Sequence, residues 1–224
     1  MCLLLNEEHY IFLIIIGFIV VVFLVLRWYE KRRTQQFQES GANIGFFYTP
    51  ELEDNIITTS RFNLFQIGHS KKAYNILKGA WDGVSWTLFE YKYTTGHGKH
   101  AHTYNQTVAY SDSVSMDFPD FSLGPEYFFY KIAGDLFRIA KFKDIDIETH
   151  PNFFKNYLLK GSDEQAIRSL FQPHILSFFE AKSKGIHIQA RGHKFLYYRL
   201  SRRINPKELT NFLQEVSEVL RIFG

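Results

Sequence analysis

Cysteine is almost missing from this chain. The only one, Cys2, stands at the extreme N-terminus, so the rest has no disulfide and no thiol nucleophile. No lipobox precedes Cys2, and acylation there competes with the simpler reading of a bystander thiol. The usual catalytic punctuation is lacking as well. There is no Gly-x-Ser-x-Gly elbow, Ser70-Lys71-Lys72 has no partner base, and residues 79–83 lack the Gly-Lys-Ser/Thr ending of a phosphate loop. An excess of one charge is also absent: 26 Lys and Arg face 23 Asp and Glu, a formal +3. That balance is no nucleic-acid footprint, and no nucleic-acid partner is expected. No repeat of solenoid length is visible.

What is present is a greasy N-terminal run, residues 10–26, YIFLIIIGFIVVVFLVL, free of charge. As a helix at ~1.5 Å per residue it spans roughly 26 Å, the low end of what a bilayer core requires. Tyr10 on one side, and Trp28 with Tyr29 on the other, extend it to 10–29 with rings suited to the headgroup layer. Glu7 and Glu8 precede the run, whereas Arg27, Lys31, Arg32 and Arg33 follow it. The positive-inside rule then puts residues 1–9 outside and the remainder in the cytoplasm, at the inner (plasma) membrane. A cleaved signal peptide would carry its positive charge first and a small-residue cleavage site afterwards. The bilayer, met through Tyr10 to Tyr29, is therefore the first expected partner.

Residues 30–44 read as a basic juxtamembrane segment and linker, with 34–43 (TQQFQESGAN) as a polar tether. Residues 45–224, read as the soluble domain, suffice for one well-filled domain or two very small ones, and their many Phe and Tyr suit a sheet. Residues 72–78 alternate loosely and lead to Asp82-Gly83, a turn signal. Residues 84–93 form a long strand with Val84, Trp86 and Leu88 on one face and Phe89, Tyr91 and Tyr93 on the other. A polar loop then leads to a third alternating run, 102–110, completing an antiparallel meander. Pro119 confines 115–125 to an edge or irregular backbone. Residues 126–139 read as a short helix and 141–148 as a strand. Ser162 with Gln165 has capping-box spacing, and a second helical piece follows Pro173. Residues 185–189 and 195–200 pair as a hairpin. Finally Asn205 caps a helix with Pro206 in its first position and an apolar stripe of Leu209, Phe212, Leu213, Val216, Leu220 and Phe223. The fold class is α+β: one transmembrane helix, a mostly antiparallel sheet with helices packed on it, and a C-terminal amphipathic helix.

The pattern Asn75, Gly79, Gly83 and Phe89-Glu90-Tyr91-Lys92-Tyr93, followed by Asp144-Ile145-Asp146, Phe153, Tyr157, Gly161, Asp163-Glu164 and Leu170-Phe171, resembles a group of bacterial membrane-anchored proteins. Those proteins have N-terminal membrane helices, a cytoplasmic domain and no assigned activity. The resemblance implies a bacterial inner-membrane setting and carries over no catalytic residue.

Three imidazoles, His97, His100 and His102, lie within a short hairpin loop and could bind Zn or Ni through ring nitrogens; a polar hairpin tip is the competing reading. No cofactor signature accompanies them. The pairs Asp117/Asp120 and Asp144/Asp146 could hold a cation or act as acid and base, although Asp144 and Asp146 also fit the wet face of a strand. A C-terminal basic group, Arg191, Lys194, Arg199, Arg202 and Arg203, joins Arg27, Lys31, Arg32 and Arg33 as candidates for contact with anionic lipid. The expected function is a non-enzymatic binding or scaffolding module at the membrane with a protein partner. The alternative is a membrane-tethered hydrolase or metal-dependent enzyme built on the loop histidines or the Asp pairs.

Overall fold

The computed structural model describes residues 7–50, 52, 56–57, 61–125, 143–147, 150–182 and 185–224, with side chains from Tyr10 onward. It begins with α1 (Glu7–Asn43), one helix of 37 residues, about 55 Å long at ~1.5 Å per residue. No side chain between positions 10 and 26 is buried. The expected polar tether is instead the end of this helix. Thr34, Phe37 and Gly41 recur at helical spacing on one face, and that face docks on the sheet. Phe37 is fully buried. Gly41 lies so near Leu77 that a Cβ would come within 2.6 Å of a methyl group.

The sheet comprises β1 (Phe47–Thr49), β2 (His69–Trp81), β3 (Val84–Thr95), β4 (His102–Ser111), β5 (Phe118–Gly124), β6 (Lys143–Asp144), β7 (Leu158–Gly161), β8 (Ile186–Gly192) and β9 (Lys194–Arg199). Their order is β1-β2-β3-β4-β9-β8-β5-β7-β6, and every pairing is antiparallel. The β2–β3 hairpin turns at Asp82 and Gly83, both at positive φ, as a two-residue turn matched to strand twist requires. The mixed α+β class read from the sequence is the class observed.

Alternation on β3 divides the core. Trp86 and Leu88 join the larger cluster, which the helices cover: α3 (Pro151–Phe154), α4 (Glu164–Leu170), α5 (Pro173–Ala181) and α6 (Leu209–Arg221). Phe89, Tyr91 and Tyr93 face a smaller cluster roofed by Ile56, Phe62 and the short helix α2 (Asn63–Gln66), whose Leu64 and Phe65 are buried. The six-residue stripe expected on the last helix is buried throughout. Asn205 does cap there, accepting from the Lys207 N–H, but it opens a 3-10 turn at Pro206–Glu208 that leads into α6.

Some local expectations are corrected. Of the two settings open to Pro119, the edge is overturned, since β5 is an interior strand between β7 and β8, and the irregular backbone is found: a register shift between Phe118 and Phe121 accommodates Pro119 where no ladder donor is needed. The α4 cap is Asp163, which accepts from the Ala166 N–H at 3.0 Å, so the helix starts one residue later than Ser162 would set it. The 185–200 hairpin is longer than read, with pairing up to Arg191 and Lys194. The expected strand at 141–148 is reduced to Lys143–Asp144 among the described residues, and the helix read at 126–139 lies outside them.

His187 on β8 is buried and stacks on Tyr198 at 4.6 Å. Desolvation, helped by the Arg199 charge, pushes it down to about 3. A base with a depressed folded value leaves the unfolded chain holding the extra proton, so stability falls as pH drops from 6.5 toward 3. The variant His187→Phe is expected to flatten that decline between pH 6.5 and about 4.5, followed as thermal midpoint against pH on the full chain in detergent. At the core of α6, Leu213→Ala is expected to cost about 2–5 kcal/mol in urea unfolding of the same preparation.

Candidate functional site: an ion network beneath a basic crevice

Alternation places Glu90 on the α1 side of β3, beside Leu88, with no exposed surface. A carboxylate in that position must find cations and donors. Arg33 from α1 reaches Glu90 Oε1 through Nε at 2.9 Å and Nη2 at 2.5 Å, and the same Nη2 donates to the Ile204 carbonyl at 2.6 Å. Arg203, just beyond β9, closes a fork on both Glu90 oxygens at 2.8 and 2.9 Å. Its remaining donors grip Glu30 of α1 at 2.8 Å each.

Asn75 completes the set. It sits in a left-handed conformation (φ 52°) where β2 shifts register between Tyr74 and Leu77. That irregularity aims its amide at Glu90 Oε2, 2.6 Å away, while its Oδ1 accepts from the Thr34 hydroxyl at 2.8 Å. Two arginines and two carboxylates make the group neutral.

Burial alone would raise the Glu90 carboxyl. The hydrogen bonds and charges of Arg203 and Arg33 overcome that, and it lies below the ordinary carboxylate value. The Arg203 hydrogen bond likewise lowers Glu30. Above the network, between α1 and the segment after β9, opens a cavity of about 580 Å³ with Trp28, Tyr29, Arg32, Gln36, Asn205 and Lys207 on its walls and Arg33 and Arg203 at its base.

The candidate cations read from the sequence thus divide. Arg33 and Arg203 serve Glu90. Arg191 pairs with Asp120, and Arg199 with Glu215, which also accepts from Tyr197 at 2.6 Å. Arg27, Lys31, Arg32, Lys194 and Arg202 have no carboxylate partner among the described residues.

The loop histidines take separate positions. His97 stacks on His69 at 4.9 Å, His100 ends the 3-10 turn Gly98–His100, and His102 opens β4 in a T-shaped contact with Tyr104. Among the described residues, no group of three or more His, Cys, Asp or Glu is gathered as a metal site. Asp144 pairs with Lys160 at 2.7 Å. The Asp120 carboxyl is raised by burial, which the Arg191 charge offsets in part.

Sequence reading did not single out Glu90, Asn75, Glu30 or Lys207 as site residues. The available signal was Glu90 itself, a lone carboxylate two places after Leu88 on a face otherwise read as apolar.

No protein-family model matches this chain, and no curated protein matches it. A similar solved structure is the crystal structure of the mycobacterial trehalose monomycolate transport factor A, TtfA. It aligns with a TM-score of 0.58 over 84% of this chain and 94% of its own, at 11% identity. At that identity the likeness is one of fold.

Glu90→Gln leaves the largely buried Arg33 guanidinium without a counter-charge and Arg203 with Glu30 alone, and is expected to cost about 3–5 kcal/mol, whereas Glu30→Gln at the half-exposed end costs about 1 kcal/mol or less. Because the Glu90 carboxyl is lowered on folding, its contribution is complete above 4.5 and is lost as pH falls through the folded value. Denaturant titrations of wild type and variant across pH 3–7 should therefore converge at the acid end.

Proposed function

We propose that this is a single-pass protein of the bacterial inner membrane. Residues 1–9 lie outside, 10–29 cross the bilayer, and 45–224 form a cytoplasmic, non-enzymatic binding or scaffolding module for a protein partner. One observation carries the reading: the large apolar side chains of positions 10–26 are exposed, from 39% at Val22 to 70% at Ile14, on a helix whose other end is packed into a folded sheet. So continuous a greasy surface needs lipid around it. The four basic residues at 27 and 31–33 follow the span and favour the cytoplasmic side for the domain.

For the binding role, β1 ends the sheet and carries Phe47 at 78% exposure, an aromatic side chain on an edge strand of the kind that takes up a partner. Asp120 and Asp144, candidates for acid–base work, are both committed to ion pairs. The likeness to a transport factor is compatible with such a role.

The test is topology. The full chain is expected to remain in the pellet after alkaline carbonate extraction of membranes. A fluorescent protein fused after Gly224 should be bright in the cytoplasm, and alkaline phosphatase fused before Met1 should be active outside. Release of the intact chain into the soluble extract, or a dark C-terminal fluorescent fusion together with an inactive N-terminal phosphatase fusion, would refute the arrangement.

A further inference from the structure

We propose that the crevice between α1 and the segment after β9 binds the phosphate of an anionic phospholipid headgroup. The inference rests on the membrane reading above and adds a defined ligand site to it.

Position comes first. Trp28 and Tyr29 are more than half exposed and follow the apolar span directly. Rings of this kind settle at headgroup level. Arg32 lies one helical turn beyond Trp28, and its guanidinium sits 5.2 Å from the indole centroid. The stack holds a cation at the height of the ring that marks the interface.

Charge comes second. Arg33 and Arg203 form the base of the crevice, but Glu90 neutralises Arg33, Glu90 and Glu30 neutralise Arg203, and the Ile204 carbonyl takes a further Arg33 donor. Arg32 from α1 and Lys207 from the 3-10 turn both line the crevice, with no carboxylate partner among the described residues. Gln36 and Asn205 add amide groups to the walls. The outcome is a pocket with two uncompensated positive charges above a neutralised floor.

Size comes third. About 580 Å³ falls within the roughly 300–1,000 Å³ typical of ligand cavities, more than a bare counter-ion needs. The cytoplasmic leaflet supplies anionic headgroups at this depth. A phosphodiester accepting from the Arg32 fork and the Lys207 ammonium would place its acyl chains along the exposed apolar face of α1.

Native mass spectrometry on the full chain, in detergent with equal phosphatidylglycerol and phosphatidylcholine, reads the site directly. The expected result is retention of phosphatidylglycerol over phosphatidylcholine by at least about fivefold, the factor corresponding to one basic contact. Arg32→Gln with Lys207→Gln should remove the preference, since neither side chain supports the fold through a carboxylate. Arg27→Gln with Lys31→Gln, equal in charge change but outside the crevice, should keep it. Equal retention of the two lipids in wild type overturns the proposal, as does a preference that survives the crevice variant or falls equally in the control variant. Displacement of the lipid by millimolar inorganic phosphate would assign the crevice to a soluble anion instead. Carbonate extraction separates the two levels of failure: a chain released from membranes loses the membrane reading, whereas a chain retained there without lipid preference loses only the headgroup site.

Discussion

A single buried carboxylate sets the terms for much of this molecule. Ionised Glu90 cannot be held away from water unless cations and donors replace its hydration, because desolvating an ion costs several kcal/mol. The replacements come from three separate parts of the chain: Arg33 of α1, Arg203 beyond β9 and Asn75 of β2. Meeting the needs of one oxygen pair therefore fastens the long helix to the sheet and the end of β9 to both. The hydrophobic contacts of Phe37 and Gly41 hold α1 close, but they do not specify its rotation or its height. A fork of hydrogen bonds with fixed directions does.

The backbone bends to serve the same constraint. Asn75 adopts a left-handed conformation that few non-glycine residues visit, and it does so at a break in the β2–β3 register. Its amide thereby reaches Glu90 while its carbonyl takes the Thr34 hydroxyl. The strain of that conformation is offset by two hydrogen bonds in a place where unpaired groups would be expensive. The network also sorts the surface charge. Once Arg33 and Arg203 are committed below, Arg32 and Lys207 are left, among the described residues, as the crevice cations without a carboxylate, beside the rings of Trp28 and Tyr29. A rigid connection beneath and an open positive mouth above are two consequences of one arrangement.

Much of the fold was legible in the sequence where the signal is local. The apolar stripe of α6, the Asp82-Gly83 turn and the three strands of the meander follow from periodicity and turn chemistry among near neighbours. The misreadings have equally specific causes. Residues 34–43 look like a tether because only Phe37 is large and apolar, and a helix docked by one Phe, one Gly and one Thr gives little hydrophobic period. Pro119 leaves open an edge or irregular backbone, and the outcome is the second, a register shift that admits it to an interior strand. Asp163 rather than Ser162 caps α4, a choice between adjacent capping residues that spacing alone cannot make.

The candidate site was less legible, and the reason is distance along the chain. Nine basic residues stand out by type and clustering, and all look alike as free cations. Which of them are neutralised depends on carboxylates from 16 to 173 positions away, brought together only by strand pairing and helix docking. The sequence by itself determined the greasy span, its charged flanks, the hairpins and the amphipathic last helix, because those depend on residues a few places apart. Tertiary structure alone decided that Glu90 is buried, that Arg33 and Arg203 belong to it, and that Arg32 and Lys207 meet no carboxylate among the described residues, because a charge is free or spent according to what lies within about 3 Å of it.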